Sequence, residues 1–188
     1  FIQRCFLPIL AKIGVEVQIN CPQAGFFPVG GGITEVSIQP WTDRKALTLL
    51  DRGELIALNA YAGVQRIDPN IAERELHTLG KQLVLSSQQI INVDGCGQGN
   101  TAFVEVVSQQ HTEVFSILGE MGKTAEQIAN RLAGKVRRYL HQMAAVDEYL
   151  ADQLLLPLAL GQGGQYRCRT ISEHTRTQAM MIQRFLSV

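Results

Sequence analysis

Gln165-Tyr-Arg-Cys-Arg-Thr-Ile-Ser-Glu-His-Thr-Arg-Thr-Gln178 begins with the alternation of a strand and ends with the period of a helix, and the change falls around His174. Strand feeding into helix is the mark of a mixed α/β chain. A helix start leaves backbone N–H groups free and presents the positive end of its dipole. An imidazole there is biased toward its neutral, nucleophilic form and faces a ready anion site. A phosphate bound there would meet a nucleophile. A lone histidine beside a helix start also serves as a cap or a surface residue, and position alone does not separate these roles. Arg167 and Arg169 alternate on one face of the strand, Arg176 and Arg184 follow, and Glu173 is the only acid nearby. Such a field suits bound phosphates, and ordinary surface arginines give the same pattern.

Upstream, Glu148-Tyr-Leu-Ala-Asp-Gln153 lies inside an apolar stretch that ends at Leu160. On a helix Tyr149, Asp152 and Gln153 fall at i, i+3 and i+4, so a ring, a carboxylate and an amide share one face. The ring can stack, the amide can donate and accept, and the carboxylate accepts from hydroxyl or amino groups. That set suits a nucleobase with its ribose, and equally a solvated face on a buried helix. Pro157 cannot donate to the carbonyl of Gln153, which favours a kink there.

The rest of the chain alternates in the same way. Residues 1–12 read as a helix, and Val15 to Ile19 with Thr34 to Ile38 as a hairpin around a glycine turn. Pro40 to Arg44 breaks the pattern. Leu55 to Tyr61 is a strand. Asp68-Pro69 starts a helix, with Asp68 as N-cap, that runs to about Gly80. Thr101 to Val107 and Glu113 to Leu118 pair as strands. Thr124-Ala-Glu-Gln127 is a capping box, followed by an apolar stripe of Ile128, Leu132, Val136, Tyr139 and Met143. Arg131, Lys135, Arg137 and Arg138 read as the solvated face of that helix. His77, His111 and His141 have no partners at ligand spacing.

Composition excludes several classes. With 188 residues, 46% hydrophobic and 18% charged, the chain can bury a substantial core. No apolar run spans a membrane, no signal-peptide pattern is visible, and the expected location is cytoplasmic. Cys5, Cys21, Cys96 and Cys168 form no CxxC pair, so neither a zinc site nor a redox motif is indicated, and reduced thiols are expected. A net charge of zero argues against strong nonspecific nucleic-acid binding by the whole chain.

Gly25-Phe-Phe-Pro-Val-Gly-Gly-Gly32 calls for positive φ or a close backbone approach, and a hairpin turn satisfies both. Its spacing of glycine, two residues, proline, one residue and three glycines resembles the signature of the RNA 3'-terminal phosphate cyclase family. Tyr149 to Gln153 and the His174 segment extend the resemblance. The similarity continues in order through Phe1-Ile-Gln-Arg4, Ala72-Glu-Arg-Glu75, Gly97-Gln-Gly-Asn100 and Arg184-Phe-Leu186. Two positions depart from the pattern. Ala24 stands where the family has a basic residue, which puts a phosphate contact there in doubt. Gln178 stands where relatives tend to have asparagine, a minor change because both amides offer the same groups.

The resemblance implies a fold of repeated units with two helices on a four-stranded sheet, interrupted by an inserted thioredoxin-like small αβ domain. Residues 1–44 and 141–188 would then belong to the catalytic domain and residues 45–140 to the insert. Gly95 to Asn100 would be a loop of that insert. It implies ATP and a divalent metal, Mg or Mn, as cofactors and an RNA 3'-phosphate end as partner. His174 would be the nucleophile that takes AMP, and Tyr149, Leu150, Ala151, Asp152 and Gln153 would hold the adenosine. Arg167 and Arg169 would suit ATP phosphates or an RNA end. Family members also carry an N-terminal glycine-rich segment with a metal-associated acid, and closing strands after the last helix. Neither is present between Phe1 and Val188, so the chain is expected to be about the second half of a longer enzyme, with most metal ligands elsewhere and no activity alone. A non-catalytic relative active in ribosome assembly is the alternative, and the presence of His174 favours the enzyme.

Overall fold

The computed structural model describes residues 1–187. A π-helical turn (Ile2–Phe6) runs into α1 (Leu7–Lys12), and the hairpin β1 (Val17–Gly25) and β2 (Ile33–Ile38) follows. Next come β3 (Leu47–Leu49), β4 (Leu55–Gln65), α2 (Asn70–Gln82), β5 (Ser87–Ile90), β6 (Gly95–Cys96), β7 (Gly99–Ser108) and β8 (Thr112–Leu118). The chain ends with α3 (Ala125–Leu140), α4 (Glu148–Leu160), β9 (Gly164–Tyr166) and α5 (Glu173–Phe185). The fold is mixed α and β, as the sequence indicates, with five α-helices and three sheets among the described residues.

The central sheet has the order β5-β4-β7-β8, with β4 parallel to β5 and antiparallel to β7, and β7 antiparallel to β8. Period-two alternation places Leu58, Ala60 and Ala62 of β4 and Ala102, Val104 and Val106 of β7 on one face. There α2 contributes Leu76 and Leu79, and α3 contributes Leu132 and Val136. This is one two-helix, four-stranded unit. The flanking residues build only smaller sheets among the described residues, β2-β1-β6 and the parallel pair β3-β9.

Towards the sheet's other side a second core joins Cys5, Ile9 and Ile13 to Leu47, Leu49, Leu150, Leu154 and Val114. On that side Tyr61 stacks on Phe103 at 4.7 Å, and the Arg4 guanidinium lies over Tyr61 while bonding Glu105. The pieces before and after the central sheet thus share one core through α1 and α4.

Element ends differ from the expected ones for identifiable reasons. The α2 helix starts one residue later than expected, at Asn70 with Pro69 in the N-cap position, and Asp68 Oδ1 still accepts from the Asn70 N–H at 3.0 Å. The helix passes Gly80 and stops at Gln82, because burying Leu79 and Leu83 outweighs a glycine cost of about 1 kcal/mol. The apolar stripe of α3 ends at Tyr139, and Met143 is exposed beyond the helix. The Arg52 guanidinium terminates that helix by donating to the carbonyls of Tyr139, Leu140 and Gln142 at 3.2, 2.9 and 2.6 Å. No helix of the described residues is long and apolar enough to cross a membrane.

Candidate functional site

His174 is the second residue of α5 and stands exposed. Ser172 sets the helix start: its backbone is extended, and its hydroxyl accepts from the Thr175 N–H at 3.1 Å. Thr175 is buried, which anchors the first turn and leaves the imidazole on the open side. Glu173 turns toward Arg176 at 3.6 Å in solvent. The histidine therefore sits at the positive end of a helix with its ring accessible.

Tyr149 to Gln153 occupy the first turns of α4. Asp147 caps this helix, its Oδ1 accepting from the N–H groups of Tyr149 and Leu150 at 2.9 and 3.0 Å. Tyr149 is exposed, and Asp152 and Gln153 are half-buried. Leu150 and Ala151 are fully buried, so their side chains serve the core, while the Ala151 carbonyl accepts from the Tyr166 hydroxyl at 2.6 Å. The helix continues past Pro157 to Leu160. Tyr149 opens onto a cleft shared with Phe115, Lys135, Arg138 and Arg169, and Gln153 lines an adjoining cavity beside Val114 and Ser116. His174 lines neither of these two cavities.

Backbone pairing brings Arg169 to the same cleft as Tyr149. Cys168 and Val146 form a parallel bridge, and the Ala145 and Val146 N–H groups donate to the Arg167 carbonyl at 2.8 and 3.1 Å. One residue further along both chains, Asp147 and Arg169 stand at the same level.

Beneath the start of α4 lies a buried polar knot. Glu113 is fully buried; one carboxylate oxygen accepts from the Asp147 N–H at 3.0 Å and the other from the Cys5 thiol at 3.1 Å. His111 Nε2 is 3.7 Å from Glu113, and neither ring nitrogen has a hydrogen-bond partner among the described residues. Burial, reinforced by the Glu113 charge, pushes the Asp147 carboxyl up to about 7, against the pull of the two N–H groups it caps. Burial likewise pushes the Cys5 thiol up, which makes it inert as a nucleophile.

The glycine-rich segment is a turn. Gly30 and Gly31 have φ of 67° and 77°, and a Cβ on Gly25 would meet the Gly32 nitrogen at 2.5 Å. The Gly95 loop docks there, with Ala24 and Gly25 paired in parallel to Gly95 and Cys96. The Glu75 and Asn100 side chains, from the two other glycine- and acid-bearing motifs, meet at 2.8 Å. Among the described residues no group of three or more His, Cys, Asp or Glu side chains is placed to hold a metal ion.

The family model described as RNA 3'-terminal phosphate cyclase matches residues 1–188. The chain belongs to the RNA 3'-terminal phosphate cyclase family. Proteins named RNA 3'-terminal phosphate cyclase from Salmonella enteritidis PT4 and Salmonella gallinarum are each 38% identical over 189 residues, covering 100% of the chain and 56% of the relative. One from Salmonella typhimurium is 37% identical with the same coverage. The chain thus spans about half the length of the curated cyclases it matches.

Within this cyclase-family chain the sequence patterns lead to His174 and to the Tyr149 face, while the structure sets Asp147, Lys135 and Arg138 beside that face. Asp147 was legible as an N-cap, since an Asp-Glu pair precedes an apolar run. Lys135 and Arg138 carried no local signal, because the solvated face of a helix and one wall of a cleft look alike until the opposite wall is in place.

Proposed function

We propose that this chain carries the nucleophile and the adenosine-binding face of a cytoplasmic, ATP-dependent enzyme that converts an RNA 3'-terminal phosphate into a 2',3'-cyclic phosphodiester. The observation that carries the reading is His174, exposed at the N-terminus of α5, in a chain matched end to end by the cyclase family model. A lone pair of the His174 ring forms a bond to the α-phosphorus of ATP as the α–β bridging bond breaks and pyrophosphate leaves. The RNA 3'-phosphate then takes the AMP, which frees the histidine. The neighbouring 2'-hydroxyl attacks the activated 3'-phosphorus, loses its proton and expels AMP. Covalent capture splits one hard step into easier ones.

Each part of the chain has a place in this reading. Tyr149, Asp152 and Gln153 hold the nucleoside by stacking and hydrogen bonding, with Leu150 and Ala151 fixing the helix in the core. Residues 1–44 and 141–188 form the catalytic part and residues 45–140 an inserted thioredoxin-like small domain. Mg or Mn would neutralise the triphosphate. The described residues do not fit a metal centre, so no step is assigned to an ion held by this chain. In the full-length protein, an RNA ending in a 3'-phosphate is expected to become phosphatase-resistant only with ATP, and His174→Ala is expected to abolish that conversion. A phosphatase-resistant end formed equally by the variant would refute the reading.

A further inference from the structure

The cleft beside Tyr149 gathers cations from regions far apart in sequence. Lys135 and Arg138 come from α3, and Arg169 comes from the stretch after β9. The Lys135 ammonium lies 5.9 Å from the centre of the Tyr149 ring. Among the described residues none of the three forms an ion pair with a carboxylate, whereas Arg131 of the same helix is paired with Glu120 at 2.8 Å and Arg137 bonds Gln82. The basic residues of α3 thus divide: Arg131 and Arg137 have side-chain partners within the protein, while Lys135, whose ammonium donates to the Ser116 carbonyl at 3.5 Å, and Arg138 line the cleft. Asp147 and Glu148 also line it, Asp147 with one oxygen turned to the two N–H groups it caps, so three cations stand opposite two carboxyl groups. Clustered like charges repel, and a bound polyanion relieves the repulsion.

Resting on the cyclase reading, we infer that this cleft binds the sugar-phosphate backbone of the RNA strand just upstream of its 3' end, with Lys135, Arg138 and Arg169 on phosphodiester oxygens. ATP fits these cations less well. Its α-phosphate must touch His174, and His174 is absent from the cleft lining. A polymer repeats its phosphates and can occupy both places. Arg169 and His174 are five residues apart, so the chain between them spans at most about 18 Å, within reach of a few nucleotides. A positively charged groove that tracks the backbone is also the usual way of holding a single strand without reading its sequence.

The test uses the full-length protein with Lys135→Gln and Arg138→Gln combined, Arg169→Gln alone, and Arg131→Gln with Arg137→Gln as the control on the same helix. Glutamine is a good helix former, and circular dichroism checks that each variant folds. Three readouts are compared: KM for an oligoribonucleotide ending in a 3'-phosphate, direct binding of that oligonucleotide by fluorescence anisotropy, and the ATP dependence of AMP transfer to the protein. The cleft variants are expected to weaken RNA binding and raise its KM about tenfold, with the salt slope flattened by about 0.7 per lost phosphate contact. The ATP dependence of AMP transfer is expected to stay the same, and the control pair to leave RNA binding unchanged. The inference is overturned if ATP dependence shifts instead, if RNA binding is unaltered, or if the control pair weakens it equally. Should the wild-type protein cyclise nothing, the enzyme reading fails, and the binding measurement still decides the cleft.

Discussion

Asp147 shows how much of a site depends on a single carboxyl group. Its pKa of about 7 lies far above the ordinary value near 3.9, so between those limits the folded protein binds more protons than the unfolded chain. The linked stability is greatest below the ordinary value and is lost as pH rises through about 7. Stability is therefore expected to increase as pH falls from about 8 to about 5, followed by thermal unfolding. Asp147→Asn keeps a capping oxygen without the charge, so it is expected to be more stable than the wild type at about pH 8 and less dependent on pH across that window. An unchanged pH profile in the variant would remove Asp147 as the cause. Glu75, also pushed up by burial, contributes in the same direction and leaves a residual slope. The Asp147 carboxyl was legible as a cap, but its titration was not, because Glu113 lies 34 residues away in sequence and the sheet brings the two together.

Long elements were legible and short ones were not. The α3 helix announces itself through Thr124 and Gln127, whose reciprocal capping bonds are present at 3.2 and 3.0 Å, and through an apolar stripe that meets the sheet. Thr124→Ala is expected to cost about 1 kcal/mol and Leu132→Ala about 2–5 kcal/mol in chemical denaturation. Equal small losses from both would mean that α3 is held by something other than its buried face. The three-residue β3 has no pattern of its own: it exists because Leu47–Leu49 finds Gly164–Tyr166, and a single stretch of sequence does not contain its partner. The accessible face of α4 was legible as a period, although the burial of Leu150 and Ala151 on its other side came only with the fold. Under the proposed function, Tyr149→Ala and Asp152→Ala raise the ATP concentration needed for AMP transfer more than they lower its maximal rate, since they touch the nucleoside and not the reacting phosphate. Unchanged ATP dependence in both would return that face to solvent.

At the scale of the whole molecule, the exposed apolar residues are concentrated outside the central sheet. Ile33, Val36 and Ile38 of β2 are exposed, as are Met180, Met181 and Phe185 of α5. An open strand and an apolar helix face of this kind favour association. The 188-residue chain studied alone is expected to self-associate with rising concentration in sedimentation experiments, and a clean monomer would show these faces to be harmless. The glycine signature and the histidine segment were legible because turn geometry and a helix start are local. The cleft beside Tyr149 was not, because α3, α4 and the stretch after β9 come together only through the sheet and its second core. The central claim is that His174 is the nucleophile, and mass spectrometry of the full-length protein after incubation with ATP and magnesium tests it most directly. The account predicts one added AMP per chain, mapped to His174 and absent from His174→Ala; an AMP carried on another residue, or retained by the variant, would contradict it.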